Sequence, residues 1–253
     1  MKGELTKARV LAVIPARHAS RRFPGKPLAD LGGMPVIQHV FERAALAVSL
    51  DAVVVATDDP RILDAVRSFG GEAALTSSLH RSGTERVAEV VRGLPSVEVV
   101  VNVQGDEPFV EPGAIDALVA PLRAAQGPSF TTLREPLDET RDLCDPNVVK
   151  VVTDLSGHAL YFSRAPIPHR NGRLPSSVHR HVGLYGYRRE ALLWYAALPP
   201  TPLEGSEGLE QLRILEHGGR IFVVESRYRT LSIDTPADLE RARCRLEGAV
   251  REP

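Results

Sequence analysis

Short apolar runs alternate with segments of helical periodicity through the N-terminal part of this 253-residue chain. Strand-like runs lie at 10–14, 52–56, 72–75 and 97–103. Apolar residues recur at helical spacing within 36–48, 62–66 and 87–91. Alternation of this kind is typical of a mostly parallel sheet flanked by helices, so we expect an α/β fold.

The pattern changes after residue 129. Strand-like pieces at 130–133, 148–152, 159–162 and 182–187 follow one another with only turns between them, which favours antiparallel additions. Helices are predicted at 189–198, 207–217 and 236–246, with a strand at 221–224. We therefore expect a single domain over 1–253, in which 147–190 forms a smaller, strand-rich subdomain.

The composition excludes several classes of protein. With 43% hydrophobic and 25% charged residues, the chain is an ordinary globular one, and its net charge of −1 provides no basic field for nucleic acid. Cys144 and Cys244 are too few and too far apart for a disulfide scaffold or a zinc site. The N-terminus is short and polar, and no apolar run reaches the ~20 residues of a membrane span. We expect a cytoplasmic protein that binds neither nucleic acid nor membrane.

A basic loop follows the first strand-like run, where open α/β sheets bind their ligands. It carries Arg17, Arg21, Arg22 and Lys26. It is not a Walker loop, because Gly25-Lys26 is followed by proline, and it has no dinucleotide fingerprint. Charges alone favour a solvated loop. Their position directly after a buried strand instead indicates an anion site, with phosphate as the leading candidate.

Two aspartates are candidate metal ligands. Asp106 lies just beyond the run at 97–103, where a carboxylate can hold Mg²⁺ together with waters and substrate phosphates. An ordinary acidic turn before Pro108 is an equal alternative. Asp234 offers a second carboxylate, but Asp234 and Thr235 stand before Pro236, and for this motif alone a helix cap is the stronger interpretation.

Two further groups of polar residues allow a structural and a functional interpretation. Ser82 to Arg86 precede a predicted helix and could cap it or contact a nucleotide, and capping is favoured for the segment alone. Polar groups in or beside the later strands could bind a sugar acid or satisfy a subdomain core, and both alternatives stay open. These are Tyr161, Ser163, Arg164, His181 and Tyr185.

An ordered set of motifs resembles one enzyme family over nearly the whole chain. The motifs are the segments 14–27, 82–86, 102–108, 147–150, 161–164, 181–187, 209–213 and 234–239. Together they resemble the 3-deoxy-manno-octulosonate cytidylyltransferases, or CMP-Kdo synthetases. The chain departs from the family in two places: the segment 169–177 looks short, and Arg21-Arg22 stands where members often carry one arginine.

The resemblance implies a nucleotidyltransferase α/β fold and a homodimer formed largely through the later subdomain. It also implies Mg²⁺-dependent transfer of CMP from CTP to Kdo, with release of pyrophosphate, for lipopolysaccharide or another Kdo-containing glycan. The alternatives are a cytidylyltransferase for another acid sugar, such as an 8-amino relative of Kdo or a sialic acid, a nucleotide-binding regulatory protein without turnover, and a structural module.

The resemblance further implies roles for individual residues. Asp106 and Asp234 hold the metal and, with Arg17 and Lys26, form the catalytic set. The nucleotide site comprises Arg17, Arg22, Lys26, Ser82, Arg86 and Gln104. The sugar acid faces Arg164, His181, Tyr185, Glu210 and Gln211. Arg21 has no assigned role.

Overall fold

A computed structural model describes residues 5–19, 22–137, 140–169, 178–226, 228 and 231–251. The strands are β1 Val10–Ala16, β2 Asp30–Leu31, β3 Met34–Pro35, β4 Ala52–Thr57, β5 Ala73–Leu75, β6 Val99–Asn102, β7 Phe130–Pro136, β8 Lys150–Thr153, β9 Ala159–Ser163, β10 His179–Arg188 and β11 Ile221–Glu225. The α-helices are α1 Val36–Ala45, α2 Pro60–Ser68, α3 Gly83–Arg92, α4 Pro112–Arg123, α5 Thr140–Cys144, α6 Arg189–Ala197, α7 Pro202–Glu207, α8 Leu212–Glu216 and α9 Pro236–Arg251.

The chain forms two compact units. The first comprises Met1–Asp116 with Thr230–Pro253, and the second comprises Ala117–Arg229. Within the first unit, β6, β1, β4 and β5 lie side by side in that order and all run parallel. Helices α1 to α3 pack on these strands, and Leu11 to Ile14 are fully buried. Burial on both faces explains the uninterrupted apolar runs, and the predicted α/β fold is confirmed.

Strand β1 continues two residues further than the sequence predicts. Pro15 was expected to end it, but Pro15 and Ala16 still pair with β4. Pairing of β1 with β6 ends at Val13, whose carbonyl accepts from Val103 N at 3.1 Å. Because bonding directions alternate along a strand, the nitrogen of Pro15 faces this unpaired side, where its missing hydrogen costs nothing.

The second unit contains the antiparallel strands expected after residue 129. Strand β7 pairs antiparallel with β10 and parallel with β11. Strand β8 pairs antiparallel with both β10 and β9. Strands β8 to β10, which all fall within the range 147–190 expected for the subdomain, belong to this unit.

One predicted helix is wrong. The segment 207–217 was expected as a single helix, but α7 ends at Glu207 and α8 begins at Leu212. Gly208 ends α7 in the left-handed region, with φ of 63°, a conformation that glycine adopts at low cost. A separate antiparallel pair, β2 and β3, was also not expected. Within the described ranges, no helix combines the length and the apolar character needed to cross a bilayer.

Candidate functional site

The basic loop of the first unit folds back so that Lys26 meets an acid from another strand. Gly25 N donates to His18 O at 2.9 Å, which closes the loop after β1. Lys26 is largely buried, and its Nζ donates to Asp106 Oδ2 at 2.7 Å. Because β1 and β6 are adjacent and parallel, their carboxyl ends bring this loop and Asp106 to the same edge of the sheet.

Asp234 joins the same cluster from near the other end of the chain. Ile233 N donates to Asp106 O at 2.8 Å, so the segment before α9 is bonded directly to the segment after β6. Lys26 Nζ lies 3.4 Å from Asp234 Oδ1, and Arg22 Nη2 lies 2.9 Å from the same oxygen. Four of the predicted residues therefore meet in what we call the cation–carboxylate cluster: Arg22, Lys26, Asp106 and Asp234.

The helix cap that competed with a functional role for Asp234 is formed by its neighbours. Thr235 N and Asp234 N donate to Asp238 Oδ2 at 2.8 and 3.1 Å. Asp238 N donates in return to Thr235 Oγ1 at 3.3 Å, which completes a reciprocal cap at the start of α9. Asp238 thus fixes the backbone of Asp234, whose own carboxylate faces the two cations.

Gly105 allows the segment after β6 to pass close to β1. A Cβ at this position would lie 2.8 Å from Pro15 O, a backbone atom that cannot move independently. We expect Gly105→Ala to lower the free energy of unfolding by about 1–3 kcal/mol through overpacking. Urea denaturation measures this. The control is Gly248→Ala on α9, where a Cβ meets no neighbour; it should be neutral or slightly stabilising. Equal effects of both substitutions would contradict the interpretation.

The other residues predicted for the nucleotide are Arg17, Ser82, Arg86 and Gln104. Arg17 is exposed just beyond β1, and Gln104 is partly buried beyond β6. Ser82 Oγ accepts from Glu85 N at 3.2 Å and caps α3, as the structural interpretation predicts. Arg86 is buried and donates to Asp58 Oδ2 at 3.0 Å and to Thr76 Oγ1. Arg21 lies outside the described residues.

The two carboxylates of the cluster fit the requirements of a magnesium ion. The side chains of Asp106 and Asp234 are 26% and 38% exposed, so an ion can reach their oxygens from solvent. Among the residues that the structure describes, no group of three His, Cys, Asp or Glu side chains forms a closed cage. Mg²⁺ is usually held by one or two carboxylates, with waters and substrate phosphates completing its shell.

In the second unit, Arg164 is fixed by backbone carbonyls and by Glu207. Its Nε donates to Glu207 O and its Nη1 to Pro146 O, both at 2.8 Å. The Glu207 carboxylate accepts from Arg164 N at 2.8 Å and from Ser163 Oγ at 2.6 Å. These hydrogen bonds, with the favourable charge of Arg164, hold the pKa of Glu207 below its usual value against the effect of burial. The guanidinium of Arg164 is thus held in place by two backbone carbonyls.

Lys150 is fully buried beside Arg164. Its Nζ donates to Val148 O at 2.7 Å, Asp145 O at 3.0 Å and Arg164 O at 2.5 Å. Burial lowers the pKa of this amine, since taking a charge out of water disfavours the charged form. Lys150 therefore joins the loop before β8 to the backbone of Arg164.

A bulge in β10 sets the positions of His181 and Tyr185. The register of β10 against β7 shifts between Val182 and Tyr185. Thr132 Oγ1 fills the bulge: it donates to Leu184 O at 2.8 Å and lies 2.9 Å from His181 Nε2. The imidazole packs between the rings of Phe162 and Tyr185, at centroid distances of 5.0 and 5.4 Å. Bulges commonly re-aim side chains next to functional sites.

His181 is neutral at neutral pH. Burial lowers its pKa to about 3, whereas the pKa of a histidine in the unfolded chain is about 6.5. Between these pH values the unfolded state binds more protons, so stability should fall as the pH falls. We expect His181→Gln to flatten this dependence in urea denaturation between about pH 4 and 7, and exposed His217→Gln to leave it unchanged. A wild-type slope in His181→Gln would contradict the prediction.

The last two residues predicted for the sugar acid lie between α7 and α8. Glu210 O accepts from Tyr195 OH at 3.2 Å, and Gln211 is buried. Two residues that sequence reasoning did not assign, Glu207 and Lys150, both hydrogen-bond to Arg164. Lys150 stands in the motif 147–150, which was a detectable signal. Glu207 had none, because its partners lie more than forty residues away in the chain.

Comparison with known proteins identifies close relatives. A family model described as Cytidylyltransferase matches residues 11–221. The 3-deoxy-manno-octulosonate cytidylyltransferase of Solibacter usitatus is 51% identical over 234 residues, which cover 92% of each chain. That of Geobacter sulfurreducens is 51% identical over 245 residues, covering 92% of this chain and 97% of the relative.

Solved structures agree with these matches. The structure of CMP:2-keto-3-deoxy-manno-octonic acid synthetase complexed with CTP is similar at a TM-score of 0.91 and 40% identity, covering 95% of this chain and 99% of that one. A 4-diphosphocytidyl-2C-methyl-D-erythritol synthase from Anaerococcus prevotii reaches a TM-score of 0.63 at 16% identity, covering 94% and 98%. At that identity the likeness concerns the fold alone, and the two structures together confirm the predicted nucleotidyltransferase-type fold.

Proposed function

Because this chain belongs to the 3-deoxy-manno-octulosonate cytidylyltransferase family, we propose that it transfers CMP from CTP to Kdo and releases pyrophosphate. The observation that supports this most directly is the cation–carboxylate cluster, in which two cations and two carboxylates from three distant segments meet at the carboxyl edge of a parallel sheet. Such a cluster suits a polyphosphate and its metal.

In the proposed reaction, the anomeric hydroxyl of Kdo attacks the α-phosphorus of CTP. A new oxygen–phosphorus bond forms, the bond to the leaving pyrophosphate breaks, and the hydroxyl proton passes to solvent. Arg17, Arg22 and Lys26 bind the triphosphate and neutralise charge that moves onto the pyrophosphate. Mg²⁺, held by Asp106 and Asp234, would supply further charge stabilisation. Ser82, Arg86 and Gln104 are proposed to lie in or near the nucleotide site.

The residues proposed for the sugar acid contribute charge, hydrogen bonds and ring packing. Arg164 is the charged group, and its anchored guanidinium is suited to the carboxylate of Kdo. His181 is neutral, so it would contribute hydrogen bonding and ring packing rather than charge. Burial, with smaller effects of Tyr187 and Glu210, raises the pKa of Tyr185 well above its usual value, so its phenol keeps its proton and can donate to a sugar hydroxyl. Glu210 and Gln211 complete the proposed set.

The enzyme is proposed to act in the cytoplasm as a homodimer that assembles largely through the second unit. Support comes from the β8–β9 hairpin, where Leu155 is fully exposed and Leu160 is 62% exposed. Large apolar side chains grouped at a surface often mark an interface. Light scattering on the wild type and on Leu155→Asp tests the proposal: a wild-type monomer contradicts it.

The decisive experiment measures pyrophosphate release by purified protein with CTP, Mg²⁺ and a panel of acid sugars. Kdo should support rapid release, and an 8-amino relative of Kdo or a sialic acid should support little. Replacing CTP with UTP tests the specificity for the nucleotide base. Release with another acid sugar but not with Kdo would replace the proposed substrate, and no release with any of them would favour a regulatory or structural role.

A further inference from the structure

Lys26 lies where a divalent cation is expected. Its Nζ is within hydrogen-bond distance of Asp106 Oδ2, at 2.7 Å, and of Asp234 Oδ1, at 3.4 Å. The Lys26 side chain is only 11% exposed, so these carboxylate oxygens replace most of the water around the ammonium group. We infer that Lys26 and the divalent cation are alternative counter-ions of Asp106 and Asp234, and that Lys26 leaves the carboxylates for the nucleotide phosphates when the cation binds.

The first argument is electrostatic. Both ions are positive and need oxygens of the same two carboxylates, so an ammonium group at 2.7 Å from Asp106 opposes the approach of Mg²⁺ to that side chain. Arg22 opposes it at Asp234, at 2.9 Å. A cation that binds alone must displace these groups, and Lys26, whose side chain is only 11% exposed, then loses its partners in a largely buried place, which costs free energy.

The second argument concerns the side chain itself. The backbone of Lys26 is fixed, since it begins the short helix Lys26–Leu28 and Pro27 follows it. The ammonium group stands at the end of four rotatable bonds and is a compact charge that binds phosphate as readily as carboxylate. A bound triphosphate offers the displaced amine new oxygens. The cation and the nucleotide should therefore bind cooperatively, each raising the affinity for the other by the same factor.

This inference deepens the proposed function and rests on it for the identity of the nucleotide. Its test uses Mn²⁺ as the probe, because Mn²⁺ binding is followed by electron paramagnetic resonance without turnover. In the wild type, CTP should tighten Mn²⁺ binding strongly. In Lys26→Met, Mn²⁺ without nucleotide should bind about tenfold more tightly than in the wild type, within the range of typical coupling between two sites, and CTP should tighten it much less.

Lys7→Met is the matched control, since it removes the same charge from an exposed position and should leave Mn²⁺ binding unchanged. Mn²⁺ binding to Lys26→Met that is equal to or weaker than in the wild type would overturn the inference. If Lys26→Met unfolds, the wild type still decides, because Mn²⁺ affinity that is indifferent to CTP also overturns it. Failure of the proposed function looks different: pyrophosphate release with Kdo is then absent while these affinities still change.

Discussion

Replacing Asp106 with asparagine should lower kcat by about 100- to 1,000-fold, the usual loss when a group that stabilises transition-state charge is removed. Asparagine keeps the shape of the side chain and removes its charge. Lys26, which donates to Asp106 at 2.7 Å, would keep a hydrogen-bond acceptor, while the metal would lose one of its two proposed anionic ligands. The Mg²⁺ concentration needed for half-maximal activity should also rise.

Asp116→Asn provides the comparison for this variant. Asp116 on α4 accepts from Ser49 N at 2.9 Å and from Ser49 Oγ at 2.6 Å, which ties the helix to the loop before β4. The Asp116→Asn variant should alter the free energy of unfolding and leave kcat near the wild-type value. Steady-state kinetics at saturating CTP, Kdo and Mg²⁺ measures both variants. Near-normal kcat in Asp106→Asn would remove Asp106 from the metal site.

Replacing Lys150 with methionine should lower the free energy of unfolding by about 3–5 kcal/mol, in the range found when a buried charged or hydrogen-bonded partner is removed. Methionine fills a similar volume, but it leaves the carbonyls of Asp145, Val148 and Arg164 without the donor that they share. Folded Lys150→Met should also bind Kdo more weakly, because the Arg164 backbone loses its tie to the loop before β8.

Two measurements separate these effects. Urea denaturation gives the stability, and steady-state kinetics gives the KM for Kdo and for CTP. The KM for Kdo should rise while that for CTP stays near the wild-type value. The exposed Lys7→Met control should change neither the free energy of unfolding nor the KM for Kdo or CTP. A loss of stability without any change in the KM for Kdo would limit Lys150 to a structural role, and unchanged stability would contradict the prediction altogether.

The parallel part of the fold could be predicted because its signal is local. The runs that became β1, β4 and β6 are buried on both faces, so they read as uninterrupted apolar segments. The carboxyl ends of parallel strands lie at the same edge of a sheet, and this rule was enough to predict that Lys26 and Asp106 face the same crevice. Asp234 could be added only through the family resemblance, because its link to Asp106 is a single backbone hydrogen bond between distant segments.

What could not be predicted depends on contacts between distant residues. The burial of Arg86 against Asp58 and the convergence of Ser163 and Arg164 on Glu207 leave no periodic trace in the sequence. The bulge of β10 likewise depends on Thr132 of a neighbouring strand. The break between α7 and α8 is a different case, since Gly208 was a visible stop signal inside the expected helix.

The first unit is discontinuous in the chain, and this sets the order in which it can be completed during synthesis. Lys26 and Asp106 are added to the chain early, and the whole of Ala117–Arg229 is made before Asp234. Domains generally form as their residues emerge, so the second unit is available to fold while the first still lacks α9. A nascent chain therefore carries only one carboxylate of the cluster while residues 107–233 are made, and it gains the second only near the end.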